Sequence, residues 1–493
     1  MTLTTLLIYV AIAALALTLI VVYGFKKHES WFMSYLQNFC GALFIFSGWV
    51  KAVDPLGTAY KMEQYFDQFE FVFQDTWFSF LAPLFPVLSG YAVGFSVFVV
   101  VFEIVLGIML ILGHKPRFTA WSFLLLVAFF TVLTGFTFLT GYVPGDINFF
   151  DFGNWAAYDK DNMKVTDCGC FGDFIKLEPK TSFLKDVFLL APALFFLFRT
   201  KTMHVLFSRT VRNIFVSVSA LALVYYCLSN FVWDIPENDF RPFKKGTDVA
   251  TQKQLEDDAL ANVQITAYKV TNKASGEELL LPYDQYLKSF KDYPSEEWEL
   301  EQQYTEPAIP LTKISEFDIT DADGYSLNDA ILKSDGPLIF LVAHKLYGDG
   351  SPSTRIVRDT IYKTDTIFQR DGSTEFVQSL ARIDERTESY TDYQWKEFYT
   401  ERYLKVVNPF VEKAKADGIP VIAAVGGADF EQIGDLKTDI GLDVEYGIAD
   451  DILLKTIVRS NPGIVLLNKG VIVDKWHYKQ LPTYENVKSD YLQ

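Results

Sequence analysis

Apolar residues fill the first half of this chain in long unbroken runs and shrink to short stretches in the second half. The runs are Leu3–Tyr23, Leu36–Val50, Tyr91–Leu112, Ala120–Tyr142, Phe183–Phe198 and Ile214–Val232. A helix crosses a bilayer with roughly 20 mostly apolar residues. The pattern therefore predicts about six transmembrane helices over residues 1–232, the second and fifth extending into their flanks, with the lipid bilayer as the first partner. Phe78–Leu88 is broken by Pro83 and Pro86 and is too short to span, so it is expected at the interface or as a re-entrant segment.

After Val232 the periods change. Residues 233–309 read as a linker with a hairpin: Val263–Val270 alternates, Thr271-Asn272-Lys273-Ala274-Ser275-Gly276 is a turn, and Leu279–Leu281 follows. The charged stretch Lys291–Gln303 is expected to be helical or flexible. Residues 310–493 read as an α/β domain. Phe317–Ile319 and Tyr325–Leu327 flank the turn Asp321-Ala322-Asp323-Gly324. Pro337–Ala343 and Pro420–Val425 are compact apolar runs, as buried strands are. Helix patterns cover Trp395–Ala416, with a restart at Asn408-Pro409, then Phe430–Ile440 and Asp450–Ser460. Gly463–Leu467 and Val471–Lys475 around Asn468-Lys469-Gly470 make a closing hairpin. Ser351–Asp392 stands out as a long polar insertion.

Composition narrows the function classes. The net charge of −17 and the lack of a basic stripe exclude nucleic acid as a partner, because phosphate binding needs clustered Lys and Arg. Basic residues alternate with acidic ones between the apolar runs. Lys26, Lys27 and His28 follow the first run, His114, Lys115 and Arg117 the third, and Arg199, Lys201, Arg209 and Arg212 separate the last two. The intervening loops carry Asp54, Glu63, Asp67, Glu70 and Asp75, and then Asp146 through Asp173. Lys and Arg mark the cytoplasmic side. The N-terminus, the 142–182 loop and everything after Val232 are thus expected outside. The first run lacks a positive segment before it, so an uncleaved helix is favoured over a signal peptide.

The chemistry concentrates in Asp167-Cys168-Gly169-Cys170-Phe171-Gly172-Asp173, inside the second acidic loop. In an oxidising compartment Cys168 and Cys170 form a redox pair, a static bridge or two separate thiols. Cys40, expected near the inner end of its helix, and Cys227, near the outer end of the last, are the only other cysteines; Cys227 either approaches the outer loop or, the favoured reading, is a small buried hydrophobe. Glu103 is the one acid deep in a span. It is expected to face the bundle interior, in reach of Thr131 or Thr134, either as a ligand-binding or proton-handling group or as a hydrogen-bonding one. Lys51, Asp54, Lys185 and Asp186 fall at the outer boundary, where ion pairs beneath the cysteine loop and interfacial anchoring are the two readings. His344 and His477 lack the neighbours of a catalytic constellation, and no metal-ligand spacing is evident.

Asn38 to Pro55, with Cys40-Gly41-Ala42-Leu43-Phe44 and Ser47-Gly48-Trp49-Val50-Lys51, resembles the first core helix of DoxX-type membrane proteins. Cys168-Gly169-Cys170-Phe171-Gly172, followed by Lys185-Asp186, is similar to the methylamine-utilisation protein MauE, a DoxX relative. The resemblance implies a four-helix core with added helices, and a link to disulfide-rich periplasmic clients. The order of elements over residues 310–485, with Asn461-Pro462-Gly463 before the closing hairpin, resembles thioredoxin-like domains. The departure is that His344-Lys345-Leu346-Tyr347 stands where that fold carries its Cys-X-X-Cys, and no cysteine follows Cys227. The expected architecture is an α-helical membrane bundle followed by an α/β thioredoxin-like domain. That domain would bind partners beside His344, Asn461 and Pro462 rather than exchange thiols. The implied function is support of thiol–disulfide or quinone-linked redox processes in the inner membrane of a bacterial envelope. Cys168 and Cys170 would be catalytic, with a quinone held near Glu103, Thr131 and Thr134 and a periplasmic protein as client. The competing expectation is a non-enzymatic anchor or scaffold subunit of a secretion, assembly or respiratory complex.

Overall fold

The computed structural model describes residues 2–145, 147–165, 169–368 and 374–492. The chain divides into two compact units, Met1–Lys244 and Lys245–Gln493.

The first unit is helical. It contains α1 (Leu3–Leu19, prolonged by a wider turn, Ile20–Phe25), α2 (Trp31–Val53), α3 (Pro55–Gln74), α4 (Leu84–Gly90), α5 (Ala92–Leu112), α6 (Pro116–Thr140), α7 (Pro179–Phe198) and α8 (Arg209–Leu228). Among the described residues, six helical segments are long and apolar enough to cross a membrane: Leu3–Phe25, Trp31–Val53, Ala92–Leu112, Pro116–Thr140, Pro179–Phe198 and Arg209–Trp233. The second and fifth extend beyond their apolar runs. Local chemistry sets the ends. Ser30 and Ser208 accept the amides of Met33 and Val211 as N-caps. Gly113, at φ +63°, stops α5.

The acidic segment after α2 is not a loop. Asp54 caps it by accepting from the Gly57 amide, Pro55 opens its first turn, and α3 runs for 20 residues. Ala59, Met62, Tyr65, Phe66 and Val72 are buried at helical spacing, while Glu63, Asp67 and Glu70 stay off that face. The acidic content hides an amphipathic helix.

α2 and α5 meet backbone to backbone. A methyl group on Gly41 would lie 2.8 Å from the Gly107 carbonyl oxygen, and one on Gly107 would lie 2.7 Å from that of Gly41. Small residues permit this approach in membrane bundles, where van der Waals contact replaces the hydrophobic drive. The contact fixes the register of the two helices, and so places Lys51 of α2 beside Glu103 of α5.

The second unit begins with α9 (Val249–Ala261). The expected hairpin is present as β1 (Ile265–Asn272) and β2 (Glu278–Pro282), followed by α10 (Tyr283–Ser289). The charged stretch after it, expected as helix or flexible chain, supplies instead β3 (Trp298–Tyr304), which pairs antiparallel with the other edge of β1. Pairing with β1 gives these polar residues a ladder of backbone bonds that their composition does not advertise.

The larger sheet is mixed. After α11 (Asn328–Leu332) come β4 (Pro337–Ala343), β5 (Gly348–Phe368), β6 (Thr374–Trp395), α12 (Glu397–Arg402), α13 (Asn408–Ala416), β7 (Val421–Gly426), α14 (Phe430–Ile440), β8 (Glu445–Ala449), α15 (Asp451–Ile457), β9 (Gly463–Asn468), β10 (Val471–His477) and α16 (Tyr484–Tyr491). The sheet runs β10-β9-β4-β7-β8. β4, β7 and β8 are parallel, and β9 and β10 are antiparallel additions. β4 is buried at six of its seven positions and every residue of β7 is buried, as strands covered on both faces are. The Asn461–Pro462 bond is cis.

The polar insertion is β5 and β6, a two-stranded antiparallel ribbon paired from Gly348↔Trp395 to Phe368↔Thr374. Cross-strand ion pairs stud it, Arg355–Glu388, Arg358–Glu385 and Arg386–Asp359 among them. Its base is tied to α14 by Trp395 Nε1 donating to Asp435 Oδ1 at 2.8 Å and by the Thr391 amide donating to Glu431 Oε1 at 3.1 Å.

Candidate functional site

Helical spacing puts Ser47 and Lys51 on one face of α2, and Phe130 and Thr134 on one face of α6. α3 adds Lys61 and Tyr65, α5 adds Glu103, and α7 adds Lys185 and Asp186. Together with the loop residues Gly169 to Phe171 they line a cavity of about 60 Å³, measured as space open to the centres of water molecules. A single water needs roughly 10–15 Å³ of such space, so the cavity has room for a few.

Two ion pairs stand in its wall. Lys51 Nζ lies 2.5 Å from Glu103 Oε2, and both residues are buried, at 5% and 2% exposure. The Lys51 ammonium also sits 5.0 Å from the centre of the Phe130 ring. Lys185 pairs with its neighbour Asp186 and lies 5.7 Å from the Phe171 ring centre. Asp186 is 1% exposed, and Thr134 Oγ1 is placed to donate to its Oδ2 at 3.0 Å. Intramembrane charges are costly unless paired. Here each has its partner, and three helices beyond α7 help to arrange them.

Glu103 is therefore held by Lys51, not by the expected threonines. Thr131 turns its hydroxyl back to the Val127 carbonyl of its own helix at 2.7 Å, and Thr134 reaches Asp186. Of the boundary residues, Lys51, Lys185 and Asp186 enter ion pairs, while Asp54 caps α3.

Cys170 is half-buried on the cavity wall with a free thiol. Ser47 Oγ donates to its carbonyl at 3.0 Å, pinning the loop to α2. Gly169 carries φ +58°, a left-handed conformation that glycine adopts without strain. Burial pushes the Cys170 thiol above its ordinary value. The Lys185 ammonium pulls it back, the Asp186 carboxylate pushes it up, and Lys51 pulls it down. Cys168 lies outside the described residues. Cys40 in α2 and Cys227 in α8 are both buried.

In the second unit, His344 follows β4 and is 8% exposed. Burial, reinforced by the cationic Lys455 and Arg459, lowers its imidazole from 6.5 to about 3. Asn461 is brought close, its Nδ2 donating to the Lys345 carbonyl at 2.6 Å, while its own carbonyl accepts from Arg402. Ser460 Oγ donates to the Pro462 carbonyl at 2.6 Å. His477 is buried too, its Nδ1 accepting the Lys479 amide at 3.1 Å. Sequence reasoning missed the cations of this region. Arg402 lies over the rings of Tyr478, at 4.7 Å, and Phe398, at 5.1 Å. The buried Lys475 donates to the Ile457 carbonyl at 2.9 Å. Long cationic side chains in a helix or edge strand read as solvated, and nothing in their spacing signals burial.

Among the described residues, no group of three His, Cys, Asp or Glu side chains could hold a metal ion. Compared with known proteins, the chain matches no family model, no curated protein and no solved structure.

Proposed function

We propose that this multi-pass membrane protein supports thiol–disulfide exchange in a bacterial envelope, with Cys170 and its sequence neighbour Cys168 as the exchanging pair. The observation that carries the reading is the position of Cys170: its thiol shares a cavity wall with one buried ion pair and a second that is half-buried on its lysine side. Ionisable groups inside a membrane domain are functional by default, and a cysteine near ammonium groups is the form in which thiols react. The basic residues between alternate spans support an orientation with this loop and the carboxy-terminal unit in the periplasm. The resemblance to DoxX and MauE proteins supports the same reading. The water-sized cavity beside Glu103 and Thr134, both engaged in other contacts, does not fit the quinone expected as acceptor.

The carboxy-terminal unit recruits the client in this proposal. Its strand order supports a thioredoxin-like fold, and with no cysteine after Cys227 the unit cannot exchange thiols itself. His344, Asn461 and Pro462 are the proposed contact region.

The test is alkylation trapping in intact cells. Cys168 and Cys170 should cycle between oxidised and reduced states, and Cys170→Ser should accumulate a mixed disulfide through Cys168. Full function in the double serine variant would remove the redox role. A scaffold reading has its own observation, the exposed ribbon of β5 and β6, which stands clear of any sheet. It requires a stoichiometric partner that survives loss of both cysteines and is lost with the ribbon.

A further inference from the structure

Lys185 lines the same cavity as two groups that can each carry a negative charge. One is Asp186, its ion-pair partner and sequence neighbour. The other is Cys170, on the same cavity wall and adjacent in the chain to Phe171, over whose ring the ammonium lies. Asp186 has a second supporter in Thr134. The remaining charged and titratable groups facing the cavity are Lys51 of α2, Lys61 and Tyr65 of α3, and Glu103 of α5. Glu103 is engaged with Lys51, and Tyr65 shares a 2.6 Å hydrogen bond with Thr137.

We infer that Lys185 is a shared counter-ion and Asp186 the proton acceptor for Cys170, so that the thiol ionises by exchanging places with the carboxylate. This deepens, and rests on, the proposal that Cys170 is a reacting thiol. In the resting arrangement Lys185 is paired with the Asp186 carboxylate and Cys170 is a thiol. The step breaks the Cys170 S–H bond, and the proton forms an O–H bond on the Asp186 carboxylate. The thiolate becomes the partner of the same ammonium. Charge is conserved, and the buried site never holds an uncompensated ion, which in a low-dielectric interior is what makes ionisation costly. No oxidant or co-reactant takes part. Lys185 acts as a positioning residue through the thiolate, and Asp186 exchanges a proton with it.

The experiment uses the full-length protein in nanodiscs, with Cys40, Cys168 and Cys227 changed to serine so that Cys170 alone reports. Its rate of modification by a small neutral alkylating reagent is followed from pH 6 to pH 10, since only the thiolate reacts. Lys185→Met is expected to slow the reaction at pH 8 by about tenfold or more and to move the pH profile upward, a tenfold change corresponding to one pKa unit. Lys185→Arg keeps the rate near that of the parent. Asp186→Asn removes both the rival anion and the acceptor. At pH 8 and above its rate rises, because the ammonium has only the thiolate to pair with, whereas toward pH 6 its rate falls with the full slope of a thiol losing its proton to solvent. A parent profile with that same full slope overturns the acceptor role. A structural role for these residues would shift both variants in the same direction, and that outcome overturns the inference. Should Asp186→Asn fail to fold, the comparison of Lys185→Met with Lys185→Arg decides alone, equal rates overturning it. The measurement needs no client, so its failure is distinct from an absence of redox cycling in cells.

Discussion

Lys51 and Glu103 lie 52 positions apart in sequence and 2.5 Å apart in space, buried together between α2 and α5. Removing one member of such a pair leaves the other as an uncompensated charge, at a cost of about 3–5 kcal/mol. Lys51→Met and Glu103→Leu are each expected to lower the melting temperature of the purified protein markedly. The double variant should regain most of that loss, because an apolar pair of similar volume restores compensation. A double variant as unstable as the sum of the singles, in a thermal melt in detergent, would count against the pair.

The approach of α2 to α5 is expected to be intolerant of a single methyl group. Gly107→Ala puts a carbon 2.7 Å from the Gly41 carbonyl oxygen, against backbone that cannot move aside. Fluorescence-detected size exclusion should show loss of the monodisperse peak. Gly94→Ala, which meets nothing within 4 Å, serves as the control and should leave the peak intact.

Thr134→Val keeps the shape but removes a hydroxyl whose one proton is shared between the Phe130 carbonyl of its own helix, at 2.9 Å, and Asp186 Oδ2, at 3.0 Å. Hydrogen bonds to charged groups contribute about 1.5–3 kcal/mol, so a measurable fall in melting temperature is expected. Thr131→Val, whose hydroxyl only bonds back to its own helix, should change little.

His344 gives the carboxy-terminal unit a pH dependence with a defined sign. Its folded imidazole titrates near 3, and an unfolded one near 6.5. Below 6.5 the unfolded chain takes up a proton that the folded one refuses, so stability is complete above that pH and is lost as pH falls toward 3. The slope approaches ~1.4 kcal/mol per pH unit within the window. His344→Gln should flatten the difference between denaturant melts at pH 7 and pH 5, and an unchanged difference would contradict the assignment.

Shortening the β5–β6 ribbon by replacing residues 353–389 with a two-residue turn should leave the rest of the unit folded. Its side chains are largely exposed, and the anchors Thr391 and Trp395 remain. Circular dichroism of the full-length variant should retain the remaining signal with a similar melting temperature. A collapse of the melt would mean that the ribbon stabilises the sheet.

The spans were legible because each is an apolar run that no soluble element of that length carries. α3 was not, since Glu63, Asp67 and Glu70 mask the spacing of Met62, Tyr65 and Phe66. The central strands β4, β7 and β9 showed themselves as compact apolar stretches, but their order in the sheet depends on crossovers that no local pattern encodes. The polar insertion stands out in the sequence but its strands do not, because among its described residues neither face is buried and the alternation that betrays a strand is missing. At the site, single residues stand out in the sequence: Glu103 by its depth, Cys170 by its motif, and Lys51, Lys185 and Asp186 by their place at a boundary. Their partners do not. Pairing depends on helix register, which here follows from the contact of Gly41 with Gly107, and neither glycine advertises that contact in sequence.

The quartet Lys51, Glu103, Lys185 and Asp186 sums to zero charge. A transmembrane voltage therefore exerts no net pull on it, although a lone elementary charge crossing the full field would feel about 2.3 kcal/mol per 100 mV. Passing a proton from one member of this enclosure to another leaves that sum unchanged, so the voltage acts only through the short distance the proton covers. The cavity thus feels an energised membrane far more weakly than a lone buried ion would.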